Sequence, residues 1–350
     1  MEFRLGEEQE MLAETVAGLL GEICTGADLR RLLDSGAARD DARWQALVEM
    51  GLTGLAAPES AGGAGLGPVE MALVAIACGA AALPEPLVEH AGVAVPMLTG
   101  DWLARAVAGE TVAVGHPVNP FVADADTAAA LILANGHEVH LVPADAVTLR
   151  REESFDPFRR LFAVDWRPEA RTRIADGEEG RAMLDAMRDR GALYAAAQLL
   201  GLAQRAIDLS VAYTRDRQQF GKPIGSFQAV KHHLATAQTR VAFARPVVIA
   251  AAAQLAAADA HAGVRIAHAK IAAAAAADVA AHAAVQVHGA MGYSWEVDVH
   301  FVLKRALALG QAWGTPAQHR ATIAQHVLHH ALGPDCTFGQ HFEETMLEPA

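Results

Sequence analysis

The stretch YTRDRQQFGKPIGSFQ, residues 213–228, decides how the chain is read. From Arg215 to Gln228 it sets three cations, three glutamines and two phenylalanines around a Lys-Pro break. Arg217, Gln219 and Phe220 close one predicted helix. Gly221, Lys222 and Pro223 break it, because proline has no amide to donate and clashes with the preceding turn. Phe227 and Gln228 open the next helix. A guanidinium suits a pyrophosphate through paired donors, a phenylalanine suits an adenine face, and glutamines bond ribose or adenine edges. On composition alone the stretch reads equally well as a helix-capping loop or as a contact loop for an adenine-phosphate ligand.

Downstream and just upstream of this loop the pattern is helical. RAMLDAMRDRGALYAAAQLLGLAQRAIDLSVAYTRDR predicts one long helix or two joined ones, and SFQAVKHHLATAQTRVAFARPVVIAAAAQLAAADA, VRIAHAKIAAAAAADVAAHAAVQVHG and PAQHRATIAQHVLHHAL follow. Long Ala-rich helices with short connections predict a bundle. Residues 111–177 differ. TVAVG, AALILA, HEVHLVPA and FAVDW read as short strands, and Asn135-Gly136 predicts a type I′ hairpin turn with positive φ at both central residues. Residues 1–110 return to helical spacing, with Leu12, Val16, Leu19 and Leu20 on one face and Gly51 placed to end RWQALVEMGL. The predicted class is α+β and mostly α: an N-terminal helical domain over 1–110, a small middle β-domain over 111–177, and a C-terminal helical bundle over 178–350.

The totals exclude several functions. A formal charge of −13 leaves no electrostatic footprint for nucleic acid or an anionic membrane. Cys24, Cys78 and Cys336 are too scattered for a metal site or a disulfide framework. The N-terminus MEFRLGEEQEMLAETVAGLL carries acids where a signal peptide carries bases, and IAAAAAADVAAHAAVQV is interrupted by Asp278 and His282 and reads as too weakly apolar to span a bilayer. These features predict a soluble cytoplasmic protein. GGAGLG at 62–67 lacks the third fingerprint glycine, Pro68 standing there, and no strand precedes it. His326, His329 and His330 share a helix face without an acid or cysteine at matching spacing; they and the pair His232 and His233 read as solvated faces, with no metal site.

YTRDRQQFGKPIGSFQ and VQVHGAMGYSWEVDVHFVLKR at 285–305 resemble two signatures of the acyl-CoA dehydrogenases, and RWQALVEMGLTGLAAPESAGGAGL resembles that family's first helical domain. The resemblance implies an N-terminal helical domain, a middle β-domain, a C-terminal four-helix bundle, FAD, acyl-CoA thioesters and electron-transfer flavoprotein as electron acceptor. In that family the R-x-Q-F segment reaches across a subunit interface to the pyrophosphate and adenosine of the neighbour's FAD. By resemblance Arg217, Gln219, Phe220, Phe227 and Gln228 take this role here. Gln286 and Gly289 match the second adenosine-contact motif, although its usual second glycine is Ala290, and Thr315 matches the threonine of an E-G-T motif.

The resemblance also implies a catalytic glutamate, since a thioester α-proton needs a carboxylate to take it. The E-G-T glutamate aligns with Trp313, and the alternative family position, on the helix before the loop, falls on Gly191. Neither carries a base, so no catalytic residue is assigned. The T-E-P-x-G-S-D and W-x-x-N segments that line the flavin ring in full-length relatives are absent from 111–177, and the β-domain looks trimmed. Three readings follow. The chain resembles the non-catalytic subunit of a heteromeric, actinobacterial-type acyl-CoA dehydrogenase, completing a partner subunit's FAD site. Alternatively it is a self-sufficient homodimer with a relocated base, for which Asp165, Glu85 and Glu296 are candidates, or a non-enzymatic acyl-CoA or protein-binding scaffold.

Overall fold

The computed structural model describes residues 4–329; Cys336 and His330 lie outside the described residues. Six helices come first: α1 (Glu7–Ile23), α2 (Gly26–Ser35), α3 (Asp41–Glu49), α4 (Pro68–Ala80), α5 (Leu87–Glu89) and α6 (Gly100–Val107). Local chemistry starts and stops them. Thr25 accepts from the Asp28 amide and Asp40 from the Arg43 amide, which satisfies otherwise orphaned helical donors. Gly51, at φ 77°, adopts the left-handed conformation that ends α3. α5 runs into a π-turn over His90–Ala94. There the buried His90 ring donates from Nε2 to the Ala106 carbonyl and accepts at Nδ1 from the Val112 amide, tying the helices to the first strand.

The middle region holds β1 (Val112–Gly115), β2 (Val122–Ala123), β3 (Ala130–Asn135), β4 (Glu138–Pro143), β5 (Thr148–Glu152), β6 (Leu161–Asp165) and β7 (Arg173–Ala175). They form a four-stranded sheet in the order β1-β3-β4-β7 and a three-stranded sheet in the order β2-β6-β5. β1 and β3 are parallel, yet no helix crosses between them; β2 and one 3-10 turn make the connection. Residues alternate faces along β3. Ala130 and Ile132 join the main core, while Leu131 and Leu133 join a second core between the sheets. Burial on both faces explains its unbroken apolar run.

The hairpin between β3 and β4 exists, but its turn is one residue later than Asn135-Gly136 predicted. Asn135 pairs with Glu138, so the central residues are Gly136 and His137. Positive φ occurs at Gly136 alone, the pattern of a type II′ turn, in which glycine takes the first central position. The Asn135 amide instead bonds Glu138 across the closing pair.

The last region contains α7 (Gly177–Asp216), a short hairpin of β8 (Gln218–Gln219) and β9 (Lys222–Pro223), α8 (Gln228–Ala256), α9 (Ala262–His288), α10 (Val299–Gln311) and α11 (Pro316–His329). α7 is a single 40-residue helix. It packs on α4 with backbones almost touching: a Cβ on Gly79 would lie 2.0 Å from the Gln198 carbonyl oxygen, and one on Gly201 2.0 Å from that of Ile76. α9 runs through the middle of the bundle against α7, α8, α10 and α11. With the turn after it, α9 has the length and mean hydropathy of a membrane span, contrary to the sequence reading, but 56% of its apolar window is buried inside the protein. Its hydrophobicity is that of a core helix. α8 is the opposite case. Over its first five turns only Ala237, Val241 and Ala244 are buried, and Phe243 is 74% exposed.

Candidate functional site

The opening stretch folds as a protruding arm. β8 and β9 pair through Gln218–Pro223 and Gln219–Lys222, leaving Phe220 and Gly221 as the two turn residues. Both have positive φ, 53° and 77°. Glycine adopts this readily, whereas a bulky L-residue is strained there by about 1–2 kcal/mol. Phe220 is nevertheless 91% exposed, so little packing within the chain offsets the strain. Phe227 meets Phe220 edge-on at 6.0 Å, and the Lys222 ammonium lies 4.6 Å from the Phe227 ring. Arg217 and Gln219 are exposed on the same arm.

The two C-terminal motifs meet at one end of the bundle. Tyr213, at the end of α7, stacks on His288, at the end of α9, with centroids 4.2 Å apart. Gly289 then ends α9 at φ 59°. Gln228 and Gln286 line one groove between α8 and α9, of about 940 Å³, together with His232, His233, Thr236, Asp278, His282 and Tyr293 over a floor that includes Val279, Ala283 and Leu303. His232 and His233 are exposed, as a solvated face would be, but they share this groove with both motif glutamines. Among the described residues no grouping of three or more histidine, cysteine or acidic side chains is placed to hold a metal ion. The remaining motif residue, Thr315, lies elsewhere. Its amide donates to Gln318 Oε1 and its hydroxyl accepts from the Gln318 amide, a reciprocal cap at the start of α11.

The groove and arm fit the outer, adenosine-diphosphate part of a dinucleotide such as FAD. They carry exposed cations, an exposed aromatic ring, two motif glutamines and a cavity within the size range of small-molecule sites. Deeper in the chain, residue 313 presents an indole where the resemblance implies a carboxylate. Trp313 is 1% exposed at φ 57°, followed by Gly314 at φ 100°. This left-handed pair turns the indole inward onto Gly191; a Cβ at Gly191 would lie 2.1 Å from Trp313 Cδ2. The two positions that the resemblance gives to the family's glutamate are therefore in mutual contact, and one fills the space the other leaves.

Four contacts hold this plug. Trp313 N donates to Asn119 Oδ1 at 2.8 Å, and its Nε1 donates to Glu89 Oε1 at 3.0 Å. The His319 ring bonds the Trp313 carbonyl at 3.0 Å. The His116 ring, itself bonded to the Leu184 carbonyl, lies 5.7 Å from the indole. Beneath the loop the fully buried Lys270 donates to the Leu309 and Gly310 carbonyls at 2.8 and 3.0 Å, capping the end of α10. Burial, with a smaller contribution from Arg159, pushes the Lys270 ammonium down to about 7.

None of the three acids proposed as a relocated base is hydrogen-bonded to Trp313. Glu85 is locked in a buried two-pronged pair with Arg43, at 2.7 and 2.9 Å, and Asp165 and Glu296 are exposed. The carboxylate that does reach residue 313 is Glu89, which the sequence reading passed over. Asn119 and His319 were likewise missed. They are separated from Trp313 by 194 and 6 residues, and only the His319 spacing, one turn beyond Thr315, offered a local signal.

Comparison with known proteins gives two family models along the chain. One, described as acyl-CoA dehydrogenase, N-terminal domain, matches residues 6–100; the other, acyl-CoA dehydrogenase, C-terminal domain, matches residues 179–328. The chain is 34% identical over 330 residues to acyl-CoA dehydrogenase IpdE2 of Mycolicibacterium smegmatis, covering 92% of this chain and 100% of that relative. It is 32% identical over 322 residues to IpdE2 of Mycobacterium tuberculosis, covering 89% and 95%. Its fold matches a chain of the ChsE4-ChsE5 complex from Mycobacterium tuberculosis with a TM-score of 0.83 at 24% identity, covering 95% and 100%, and a chain of the Tcur3481-Tcur3483 steroid ACAD G363A variant with a TM-score of 0.81 at 24% identity, covering 93% and 99%.

Proposed function

The chain belongs to the acyl-CoA dehydrogenase family of FAD-dependent oxidoreductases, and from that premise we propose that it is the subunit of a heteromeric acyl-CoA dehydrogenase that lacks its own catalytic base and completes a partner subunit's FAD site. One observation supports this reading: Trp313, at the position that the resemblance gives to the family's glutamate, is a buried indole seated on Gly191, while the arm that carries Arg217 and Phe220 is exposed. Bound FAD takes the hydride from the thioester's β-carbon. Removal of the α-proton requires a carboxylate within hydrogen-bond reach. Here the indole offers no acceptor, and Glu89 already accepts from it. A partner chain supplies the base and the flavin cradle. This chain supplies Arg217, Gln219 and Phe220 from the arm, with Phe227, Gln228, Gln286 and Gly289 at its base, to the diphosphate and adenosine of that partner's FAD. Thr315 stands apart from the arm, at the start of α11, where its hydroxyl accepts from the Gln318 amide.

The exposed first five turns of α8 supply the surface on which such a partner packs, and sites that fall at subunit interfaces are commonly divided in this way. The structural neighbours include a two-component complex and a steroid enzyme. Accordingly the substrate class is a bulky acyl-CoA thioester such as a steroid-derived one, with electron-transfer flavoprotein as acceptor. The self-sufficient reading would need a base at residue 313 or 191, or one of Glu85, Asp165 and Glu296 beside them.

The test is co-expression with a full-length acyl-CoA dehydrogenase subunit from the same genome. The visible spectrum should show flavin only in the co-purified pair, and the pair should reduce an artificial acceptor with a steroid-derived thioester. Turnover by the purified chain without a partner would overturn the proposal.

A further inference from the structure

A small polar cavity lies on the far side of Glu89 from the Trp313 indole, where the first helices, the sheet and the bundle meet. Its volume is about 40 Å³, room for about three water-sized groups. The chain from Leu83 through α5, Ala123 of β2, Asp124, Arg159, Gln198 of α7 and Arg305 of α10 help to enclose it. Arg305 is 7% exposed. Its Nε donates to Asp156 Oδ2 and its Nη1 to the Leu83 carbonyl. Nη2 is the nitrogen left for the cavity, and it is buried without a partner among the described residues. A buried donor is costly to leave unpaired, so the cavity calls for an acceptor. Arg159 also faces it. One of its nitrogens donates to the Ala308 carbonyl, and no acid among the described residues pairs with it.

The charges around the cavity balance, with one acid left over. Arg43 pairs with Glu85, Arg305 with Asp156 and Arg160 with Asp126. Arg159 offsets Glu89, whose Oε1 accepts from the Trp313 indole. Asp124 remains. Its backbone is left-handed, at φ 53° and ψ 27°, and its amide donates to the Arg160 carbonyl. Its carboxyl lines the cavity without a hydrogen bond to any described residue. The charged groups about it are Glu85 and Glu89 beside α5, Arg305 on α10, Arg159 and Arg160 before β6, and Asp126 on its own turn. Loss of solvent, and next the Glu89 charge, hold the Asp124 carboxyl well above the usual carboxylate range, against the pull of Arg305 and Arg159. A group between Arg305 and Asp124 must accept from the arginine. Where Asp124 keeps its proton, that group must accept at its second end too, as the oxygens of a carboxylate do; where Asp124 is ionised it must donate, as water does. The protonated site is neutral, and the ionised one carries a negative charge that repels an anion.

We infer that this cavity is a binding site for a small carboxylate anion, of the size of formate or acetate, held between the Arg305 and Arg159 guanidinium groups and the Asp124 carboxyl. Charge-assisted donors of this kind are the strong partners for carboxylate oxygens. Leu83, Val88 and Leu309 give the carbon end apolar walls. The site is separate from the arm and stands whether or not the arm serves a partner's FAD.

The test is titration calorimetry on the purified full chain in carboxylate-free buffer, from about pH 5.5 to about pH 9.5, with acetate and its neutral isostere acetamide as probes. Acetate should bind and acetamide should not. Wild-type affinity for acetate should be full while Asp124 is protonated, then fall about tenfold per pH unit as pH rises past the point where it ionises. Asp124→Asn keeps a donor, suits the left-handed backbone and has no proton to lose, so its affinity should stay level across the range. Arg159→Gln should weaken acetate at least about tenfold, the loss of one charge-assisted contact. Circular dichroism checks that both variants fold, and Asp124→Asn carries the test if Arg159→Gln does not. Acetamide binding as tightly as acetate would mean a hydrated cavity and overturn the inference. So would no acetate binding at about 100 mM, the same pH profile in wild type and Asp124→Asn, or unchanged affinity in folded Arg159→Gln.

Discussion

Gly191→Ala isolates the contact between α7 and the buried indole of Trp313. In the middle of a 40-residue helix, replacing glycine by alanine ordinarily stabilises by about 1 kcal/mol, through helix propensity alone. Here the new methyl would lie 2.1, 2.3 and 2.5 Å from Trp313 Cδ2, Cε3 and Cε2. The ring has to retreat by more than an ångström. It cannot do so freely, because its nitrogen is bonded to Glu89, its amide to Asn119 and its carbonyl to His319, on a backbone already in the left-handed region. Overpacking of this kind costs about 1–3 kcal/mol, and losing the bond to Glu89 adds about 1.5–3 kcal/mol if the ring swings away. Set against the propensity gain, the net expectation is a loss of up to about 2 kcal/mol if the bond holds and of about 1.5–5 kcal/mol if it breaks. The assay is equilibrium urea unfolding followed by circular dichroism, for Gly191→Ala, Trp313→Ala and the double variant. With the indole gone, alanine at 191 should become stabilising, so the two changes should couple by at least about 1 kcal/mol. A wild-type background in which Gly191→Ala stabilises by about 1 kcal/mol, with no coupling to residue 313, would refute the claim that the indole occupies this space.

Trp313→Glu restores a carboxylate at the aligned position but should give no turnover from this chain alone, assayed with an artificial acceptor and a range of acyl-CoA thioesters. Its urea midpoint should fall by several kcal/mol equivalent, and fall further as pH rises, because a carboxyl buried in an apolar slot is tolerated only when protonated. Arg217→Ala should weaken FAD retention in the assembled pair by on the order of 2 kcal/mol, roughly thirtyfold, without altering the chain's own unfolding; equal retention, measured by flavin released on dialysis, would remove the arm from the site. Lys270 has a folded-state value of about 7 against its ordinary 10.5, so between these limits the unfolded chain binds more protons than the folded one and stability should rise with pH. Lys270→Met should flatten that rise in urea unfolding measured from neutral pH to about pH 10; an unchanged slope would mean that the group is charged in the fold.

Much of the architecture was legible in the residues. Helical spacing, the strand-like runs between Val112 and Asp165 and the Lys-Pro break at 222–223 gave the order helix, sheet, bundle, because each is a local signal carried within a few turns of chain. The motifs that carry Arg217, Gln228, Gln286 and Gly289 were legible as family signatures for the same reason, and the family model matches the chain across them. That neither residue 191 nor residue 313 is an acid was legible too. Local signals failed where geometry is decided by pairing. The turn after β3 moved from Asn135-Gly136 to Gly136-His137 because the register with β4, set by which side chains must face each core, outranks the dipeptide preference. The apolar α9 became a core helix because four other helices cover it. Only the tertiary structure brought residues 191 and 313 into contact, set Glu89 and Asn119 against the indole from 224 and 194 residues away, and lined His232 and His282 up with the two glutamines. A chain records which side chains it carries at each position; which of them meet across more than a hundred residues is set by how the helices and sheets pack, and that packing seated the indole of Trp313 on Gly191 while leaving the arm exposed.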